Sequence, residues 1–423
     1  MRRHLPQLSE LRPLMQFGSF NPDRRAARLA KAADVEALRR IARRRTPRPA
    51  FDYVDGAAGQ ELTYRRSREA YESVELLPRI LHGTAIADLS MQIAGHRSAL
   101  PFGIAPTGFT RFMHSEGEIG GVRAAARAGI PFSLSTMGTR SIEEVRDAAP
   151  DAQRWFQLYL WKDHSASLDL LQRAKAAGTT TLLVTVDTPV AGQRLRDTRN
   201  GMTIPPRLTP KTVLDASYRP EWWFNFLTTD SLKFASLSDT SGSLANLISS
   251  MFDPGLNLED LAWIRENWDG QLFVKGILTR EDARRALGVG ADGLVVSNHG
   301  GRQLDRAPVA LTALPEIRDE VGPDVPLILD SGIMSGADVV TGLCAGADFV
   351  LIGRAYLYGL MAGGEQGVTR VIELLEEQIR TAMLLMGAAT VADLGPECMR
   401  APWLPRAETS HQETSRRESG SRV

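Results

Sequence analysis

Two glycines separate a histidine from an arginine in Ser297-Asn298-His299-Gly300-Gly301-Arg302-Gln303-Leu304-Asp305. An imidazole exchanges protons near neutral pH, and a guanidinium forks onto a carboxylate. Side by side, they can hold an acid by its carboxylate and take a proton next to it. Taken alone, the turn reads more readily as a solvated surface loop, because short motifs match by chance. It follows Gly293-Leu294-Val295-Val296, an apolar run that reads as a buried strand, so the neighbouring elements have to decide.

Those elements repeat. From Pro101 onward, apolar runs recur at 102–105, 131–134, 155–158, 182–186, 272–274, 293–296, 326–329 and 349–352. Amphipathic stretches follow most of them, at 116–128, 141–147, 165–177, 258–268, 279–287, 311–321, 336–344 and 367–385. Strand-like runs alternating with helical patterns predict a parallel sheet, and eight such units predict a TIM (β/α)8 barrel over 101–390. Gly290-Ala291-Asp292-Gly293 and Gly346-Ala347-Asp348-Phe349 are near-repeats before two of the runs. Ahead of the barrel lie an irregular arm at 1–32 and a helical segment at 33–100 that packs on it. The segment holds an amphipathic helix at 34–44 with a basic flank, and a small-residue turn at 51–59 containing Tyr53. That helix suits packing on the main domain better than lying on a membrane. A long loop at about 201–257 interrupts the fourth unit and carries Trp222-Trp223-Phe224-Asn225-Phe226-Leu227. Such a loop is a lid, a membrane-dipping patch, an oligomer contact or a satellite core. The tail at 405–423 is expected to be disordered.

Composition narrows the function classes. The 423 residues carry 50 Lys and Arg against 50 Asp and Glu, a balance that argues against a nucleic-acid partner. Cys344 and Cys398 form no Cys-x-x-Cys pattern, which points to a reducing compartment. The N-terminus lacks the apolar run of a signal peptide, and no apolar stretch is long enough to span a bilayer. The expectation is a cytoplasmic protein with room for contact at the inner face of the cell membrane. His4, His82, His96, His114, His164 and His411 lack ligand spacing, so no metal site is expected. No Gly-x-Gly-x-x-Gly opens a Rossmann unit.

Barrel enzymes work at the C-terminal ends of their strands, and all eight ends can be read. In order they carry Pro106-Thr107-Gly108; Ser135; Gln157 and Tyr159; Thr185, Asp187 and, beyond them, Arg194; Lys275; Ser297, His299 and Arg302; Asp330-Ser331-Gly332; and Gly353-Arg354. Any one of these could be a turn or capping residue, but eight polar ends in register define a rim. Gly332, Gly353 and Arg354 stand where barrels hold a phosphate. Thr107, Ser135, Gln157, Thr185 and Lys275 form a ring of donors and acceptors suited to a flat heteroaromatic cofactor. His299, Asp187, Arg302, Arg194 and Tyr159 remain for a small anion. Lys275 could instead be a Schiff-base lysine, but the His–Arg turn and the phosphate corner would then share no purpose.

From about residue 34 to 386 the sequence resembles the FMN-dependent α-hydroxy-acid dehydrogenases and oxidases. The turn at 297–305 is similar to their signature, as are Ala105-Pro106-Thr107-Gly108, Gln157-Leu158-Tyr159, Thr185-Val186-Asp187-Thr188-Pro189, Val274-Lys275-Gly276 and Ile352-Gly353-Arg354. Within the family it looks most like bacterial L-lactate dehydrogenases that pass electrons to quinone, and the long loop also looks like theirs. The resemblance implies that His299 is the base, paired with Asp187. Arg302 and Arg194 bind the carboxylate, while Tyr53 and Tyr159 reach the substrate's oxygens. Lys275 stabilises the reduced cofactor. Pro106, Thr107, Gly108, Ser135, Gln157, Thr185, Ser297, Asp330, Gly332, Gly353 and Arg354 bind FMN. It also implies a homo-oligomer, a tetramer.

Three departures stand out. Met334 replaces an Arg frequent in the family, leaving Arg354 as the main cation near the phosphate. Met137 stands where plant-type oxidases often carry Trp. Gly108 stands where many oxidases have Ala, which should make room near the flavin. Gly108 and Ala191 leave a longer substrate such as mandelate as an alternative. Oxygen as acceptor, or a non-redox FMN barrel, are further alternatives.

Overall fold

Apolar runs of three to five residues are too short to cover a face alone and are buried only by closing on one another. In the computed structural model, which describes residues 22–200, 215, 217–230, 232, 235 and 253–404, they do close. The strands are β1 (Phe102–Ile104), β2 (Phe132–Ser135), β3 (Arg154–Leu158), β4 (Thr181–Thr185), β5 (Gln271–Ile277), β6 (Gly293–Val296), β7 (Leu327–Leu329) and β8 (Phe349–Ile352). All neighbours are parallel and in sequence order, and β8 pairs with β1 through Val350 and Phe102 to complete the barrel. Nearly every strand residue is buried, as a sheet covered outside and filled inside requires. A bulge between Lys275 and Ile277 lies where β5 meets β6, and such irregularities re-aim side chains at barrel rims.

The lower half of the barrel is packed solid. Trp155 stacks 6.4 Å from Phe273 and lies 5.9 Å from Phe349, with Leu183, Val295 and Ile328 filling the layer. A hairpin of Met91–Ile93 and His96–Ser98 brings Ile93 and Ala94 into the same cluster and closes the floor. What remains open is the end at which the strands finish.

Outside the strands, several details differ from the pattern-based expectation. The arm is not irregular throughout: Arg24–Ala30 is helical, capped by Asp23, whose side chain accepts from Arg25 and Ala26 N–H groups. The turn at 51–59 is helical in its first half, because Pro47 and Pro49 start a helix at Arg48–Asp55. The basic amphipathic helix, Val35–Arg45, buries Val35, Leu38 and Ala42 and packs against the last helix. That last helix begins earlier than expected and runs Arg354–Met386, kinked at Gly363 and Gly364. At Gly364, φ is +60° and a Cβ would collide with the Glu116 carboxylate, which instead accepts the Glu365 N–H at 2.6 Å. Gly363 and Gly364 have non-helical backbone angles, so the helix expected from 367 is the second of two that meet at this kink.

Within the long insertion the described part holds a helix, Pro220–Thr228. Trp222 and Phe226 stack at 4.8 Å, and the Trp222 indole N–H donates to the Phe112 carbonyl at 3.0 Å. Phe224 and Leu227 face outward, 68% and 70% exposed. The aromatic cluster is therefore half a satellite core and half an exposed face. The tail at 405–423 lies outside the described residues, as do the first twenty-one residues. No helix among the described residues is long and apolar enough to cross a membrane.

Candidate active site

His299 lies just past β6 with φ of +56°, a left-handed conformation that a side chain tolerates only when its surroundings enforce it. Here they do. The Ser297 hydroxyl accepts the His299 N–H at 3.0 Å, the Asn298 side chain accepts Gly301 N–H at 3.0 Å, and the Ser331 hydroxyl accepts Asn298 and Gly300 N–H groups at 3.3 and 3.0 Å. The turn thus points the imidazole at Asp187, with Nδ1 3.0 Å from Oδ1. Burial pushes the Asp187 carboxyl up, but the charges of His299 and Lys275 outweigh it and hold it below its ordinary value. Its other oxygen, Oδ2, is buried without a partner. Asp187 stands behind His299 and is absent from the cavity wall. Carboxylate behind, imidazole between and cavity in front is the order that orients a base.

Beside His299 the cavity carries positive charge. Arg302 donates from one nitrogen to the carbonyls of Tyr53 and Gly56, and no ion pair with an acidic side chain joins it among the described residues. Burial, and then the neighbouring Arg194, pull its guanidinium down to about 10. Arg194 is held by Asp197 at 2.8 Å. The Tyr53 ring lies between them, 4.8 Å from Arg302 and 5.3 Å from Arg194. Tyr159 faces the same space, its hydroxyl held well above its ordinary value by burial and by the Asp187 charge.

The opposite wall is uncharged or internally paired. Lys275 Nζ meets Asp330 Oδ2 at 2.8 Å and donates to the Ser297 hydroxyl at 2.9 Å. Burial pulls its ammonium down, but Asp330 and Asp187 together raise it above its ordinary value, so it stays charged. Ser135 donates to Gln157 Oε1 at 2.8 Å, which leaves Gln157 Nε2 buried and unpartnered on the cavity wall. Pro106, Thr107 and Thr185 line the same wall. Farther along, Gly332, Gly353, Met334 and Arg354 form a separate corner.

Ser297 is fully buried, and its hydroxyl braces Lys275 and His299. Two placements correct the reading from sequence. Gly108 does not make room in the cavity. A Cβ there would stand 2.5 Å from the Met137 Cβ, so the glycine accommodates Met137 instead. Arg354 spends three of its five N–H donors on the carbonyls of Val54, Gly300 and Gly56, at 3.0, 2.8 and 2.8 Å. Two donors remain, so Arg354 is a weaker phosphate cation than an unengaged arginine. Tyr64, which stacks 4.7 Å from Arg354, also lines this corner. Neither Tyr64 nor Asp197 stands out in the sequence, although Asp197 follows Arg194 at the helical i, i+3 spacing that would have marked it. Apart from Asp187 behind His299, the remaining candidates, from all eight strand ends and the Tyr53 helix, converge on one cavity of about 530 Å³, within the usual range for ligand sites. No cluster of ligating side chains fit for a metal occurs among the described residues.

Comparison with known proteins agrees with this geometry. The profile of FMN-dependent dehydrogenases matches residues 42–401. A putative L-lactate dehydrogenase of Mycobacterium tuberculosis is 52% identical over 94% of this chain and 96% of its own. An L-lactate dehydrogenase of Caulobacter vibrioides is 43% identical over 88% and 98%. Among solved structures, the monotopic membrane protein (S)-mandelate dehydrogenase superposes with a TM-score of 0.84 at 35% identity, covering 88% of this chain and all of its own. The site fits FMN on its own terms. The unpartnered Gln157 Nε2 awaits an acceptor, the charged Lys275 lines the same cavity, and a Cβ on Gly353 would meet nothing closer than 3.9 Å, so there is open space beside it that a phosphate would fit. The rim of strand ends, the base beside a half-buried cation and the length of the match lead to one conclusion: the chain belongs to the FMN-dependent dehydrogenase family.

Proposed function

We propose that this protein oxidises an L-2-hydroxy acid, L-lactate to pyruvate first of all, and passes the electrons to a quinone. The observation that carries the proposal is the half-buried Arg302 guanidinium facing the cavity, with no ion pair to an acidic side chain among the described residues, next to an Asp187-oriented His299. A monoanionic acid supplies the missing charge. Arg302 and Arg194 would take its carboxylate, and Tyr53 would pack between them. This places the hydroxyl-bearing carbon near His299, whose Nε2 takes a substrate proton while Asp187 stabilises the imidazolium. Tyr159 donates to the substrate oxygen, its proton retained by its raised value. Bound FMN supplies the two-electron acceptor. Thr107, Ser135, Gln157 and Thr185 would hold its ring, Lys275 the edge that gains negative charge, and Gly332, Gly353 and Arg354 its phosphate. Lactate is favoured by the names of the relatives. Mandelate is the second reading, favoured by the structural neighbour and by the small Ala191 on the cavity wall.

The test is an anaerobic panel of L-lactate, glycolate and (S)-mandelate, followed by flavin absorbance. L-lactate should bleach the yellow protein fastest, and a ubiquinone or menaquinone analogue should restore the colour. Faster bleaching by mandelate would overturn the substrate assignment. Rapid recolouring by oxygen alone would make the protein an oxidase. The exposed Phe224 and Leu227 suit contact with a membrane surface, consistent with a quinone acceptor. Co-sedimentation with anionic vesicles, lost in Phe224→Ser with Leu227→Ser, checks that contact. We also propose a homo-tetramer, to be measured by light scattering.

A further inference from the structure

Asp187 and His299 sit beyond the ends of β4 and β6, and these strands are not neighbours, because β5 runs between them. No sheet hydrogen bond therefore sets the spacing of the pair. Nor does the Asp187 carboxylate fix itself, since Oδ1 meets His299 and Oδ2 has no partner. Something else must hold the loop after β4 against the turn after β6. One side chain spans that gap. The Gln303 amide donates from Nε2 to the carbonyls of Asp187 and Val190, both at 3.1 Å, and its Oε1 accepts the Gly192 N–H at 3.2 Å. Backbone contact completes the splint. A Cβ on Gly192 would collide with the Arg302 carbonyl and stand 2.8 Å from Gln303 Cα, so only glycine lets the loop lie this close.

We propose that Gln303 is a positioning residue for proton transfer: its amide fastens the loop carrying Asp187 to the turn carrying His299 and so sets the distance between carboxylate and imidazole. This rests on His299 and Asp187 being the proton-transfer pair. Gln303 also borders the cavity, but in this role it acts through Asp187 and His299. Its three bonds all go to backbone groups of one loop, at 187, 190 and 192, and an apolar side chain of similar length would satisfy none of them. The groups that sense the position of Asp187 are His299, Lys275 and Tyr159.

The test is Gln303→Leu in the FMN-loaded enzyme, assayed across pH with L-lactate and an artificial electron acceptor. Turnover should fall about tenfold, the rate equivalent of one hydrogen bond lost from the transition state. The acid limb of kcat/KM should also move about one unit to lower pH, because a carboxylate held farther from the base favours its protonated form less. Flavin absorbance should stay as in the wild type, and the melting temperature should fall by no more than a few degrees, since three hydrogen bonds of about 0.5–1.5 kcal/mol each are lost. A fall in rate with the limb unmoved would make the amide merely structural and overturn the proposal, as would unchanged kinetics. A raised KM with kcat unaltered would overturn it too, assigning the splint to Arg194 instead. If Gln303→Leu loses its flavin, Gln303→Asn, the same amide one methylene shorter, must show the same displacement of the limb in smaller measure. The comparison with His299→Gln separates the two levels. Full turnover in that variant would remove the catalytic pair itself, whereas an inactive His299→Gln beside a wild-type Gln303→Leu would remove only this inference.

Discussion

At the scale of single residues, the site rests on hydrogen bonds to the backbone that no motif displays. His299 was legible, since a histidine three residues before an arginine at a strand end suggests its chemistry. Replacing it with glutamine should keep FMN bound and lower turnover ~10²–10⁴-fold, the usual cost of removing a general base; anaerobic stopped-flow with L-lactate would measure it. In the sequence Ser331 is one more polar residue at a strand end, and its work depends on the loops that its hydroxyl joins. It accepts from Asn298 and Gly300 and donates to Asp330 at 2.7 Å, while its own φ is +82°. A side chain at such a φ costs of order 1–3 kcal/mol, and each hydrogen bond returns about 0.5–1.5 kcal/mol. In Ser331→Gly the two terms should nearly cancel, leaving the melting temperature within a few degrees. Turnover should fall severalfold because the His299 turn has lost its brace. Calorimetry beside kinetics checks both, and a more stable protein with full activity would show that the hydroxyl is idle.

At the scale of elements, the strands and outer helices followed from periodicity and capping signals. The Ser141 capping box and the Thr279 cap are present as the Ser-x-x-Glu and Thr-x-x-Asp spacings suggest, and the structure adds a box at Ser335. The N-terminal segment was legible only as helices, because its partners lie hundreds of residues away. Asp55, at the end of the helix bearing Tyr53, joins Arg39 at 2.6 Å, Arg196 at 2.7 Å and the Tyr358 hydroxyl at 2.8 Å. Burial alone would push its carboxyl up, but hydrogen bonds and charge from Arg39, with Tyr358 and Arg196, hold it below the ordinary value of 3.8. A carboxyl depressed in this way stabilises the folded chain above that ordinary value and loses its contribution as the pH falls through the lower, folded value. The melting temperature should therefore hold from neutrality to about pH 5 and drop steeply below about pH 4. Asp55→Asn should start lower at neutral pH and lose less on acidification. Parallel melting curves for the two proteins would show Asp55 to be irrelevant to acid stability. The Asp305 carboxylate ties the far end of the same segment, accepting Gln60 and Thr63 N–H groups at 2.7 and 3.0 Å. The last residue of the His–Arg stretch thus anchors the element that supplies Tyr53.

At the scale of the whole molecule, a closed barrel with a buried ammonium and a half-buried guanidinium at its mouth should depend on its cofactor for stability. Ligand that binds only the folded state adds about 1.4 kcal/mol for each tenfold excess over Kd. Apoprotein titrated with FMN should show a melting temperature that climbs without a plateau well past saturation. A transition insensitive to FMN would mean that the cavity binds something else. The barrel was legible as a whole because each of its eight apolar runs is followed by a polar end, even though a long insertion separates the fourth run from the fifth. The steric partnership of Gly108 with Met137, and the carbonyls that occupy Arg354, were not, since both depend on which loops meet. The floor of the barrel has a further consequence. Trp155, Phe273 and Phe349 seal one end, so whatever binds in the cavity enters past the rim of strand ends. On the proposed function, an acceptor that needs to enter the cavity would share that doorway with the acid, and an excess of either would then slow the other.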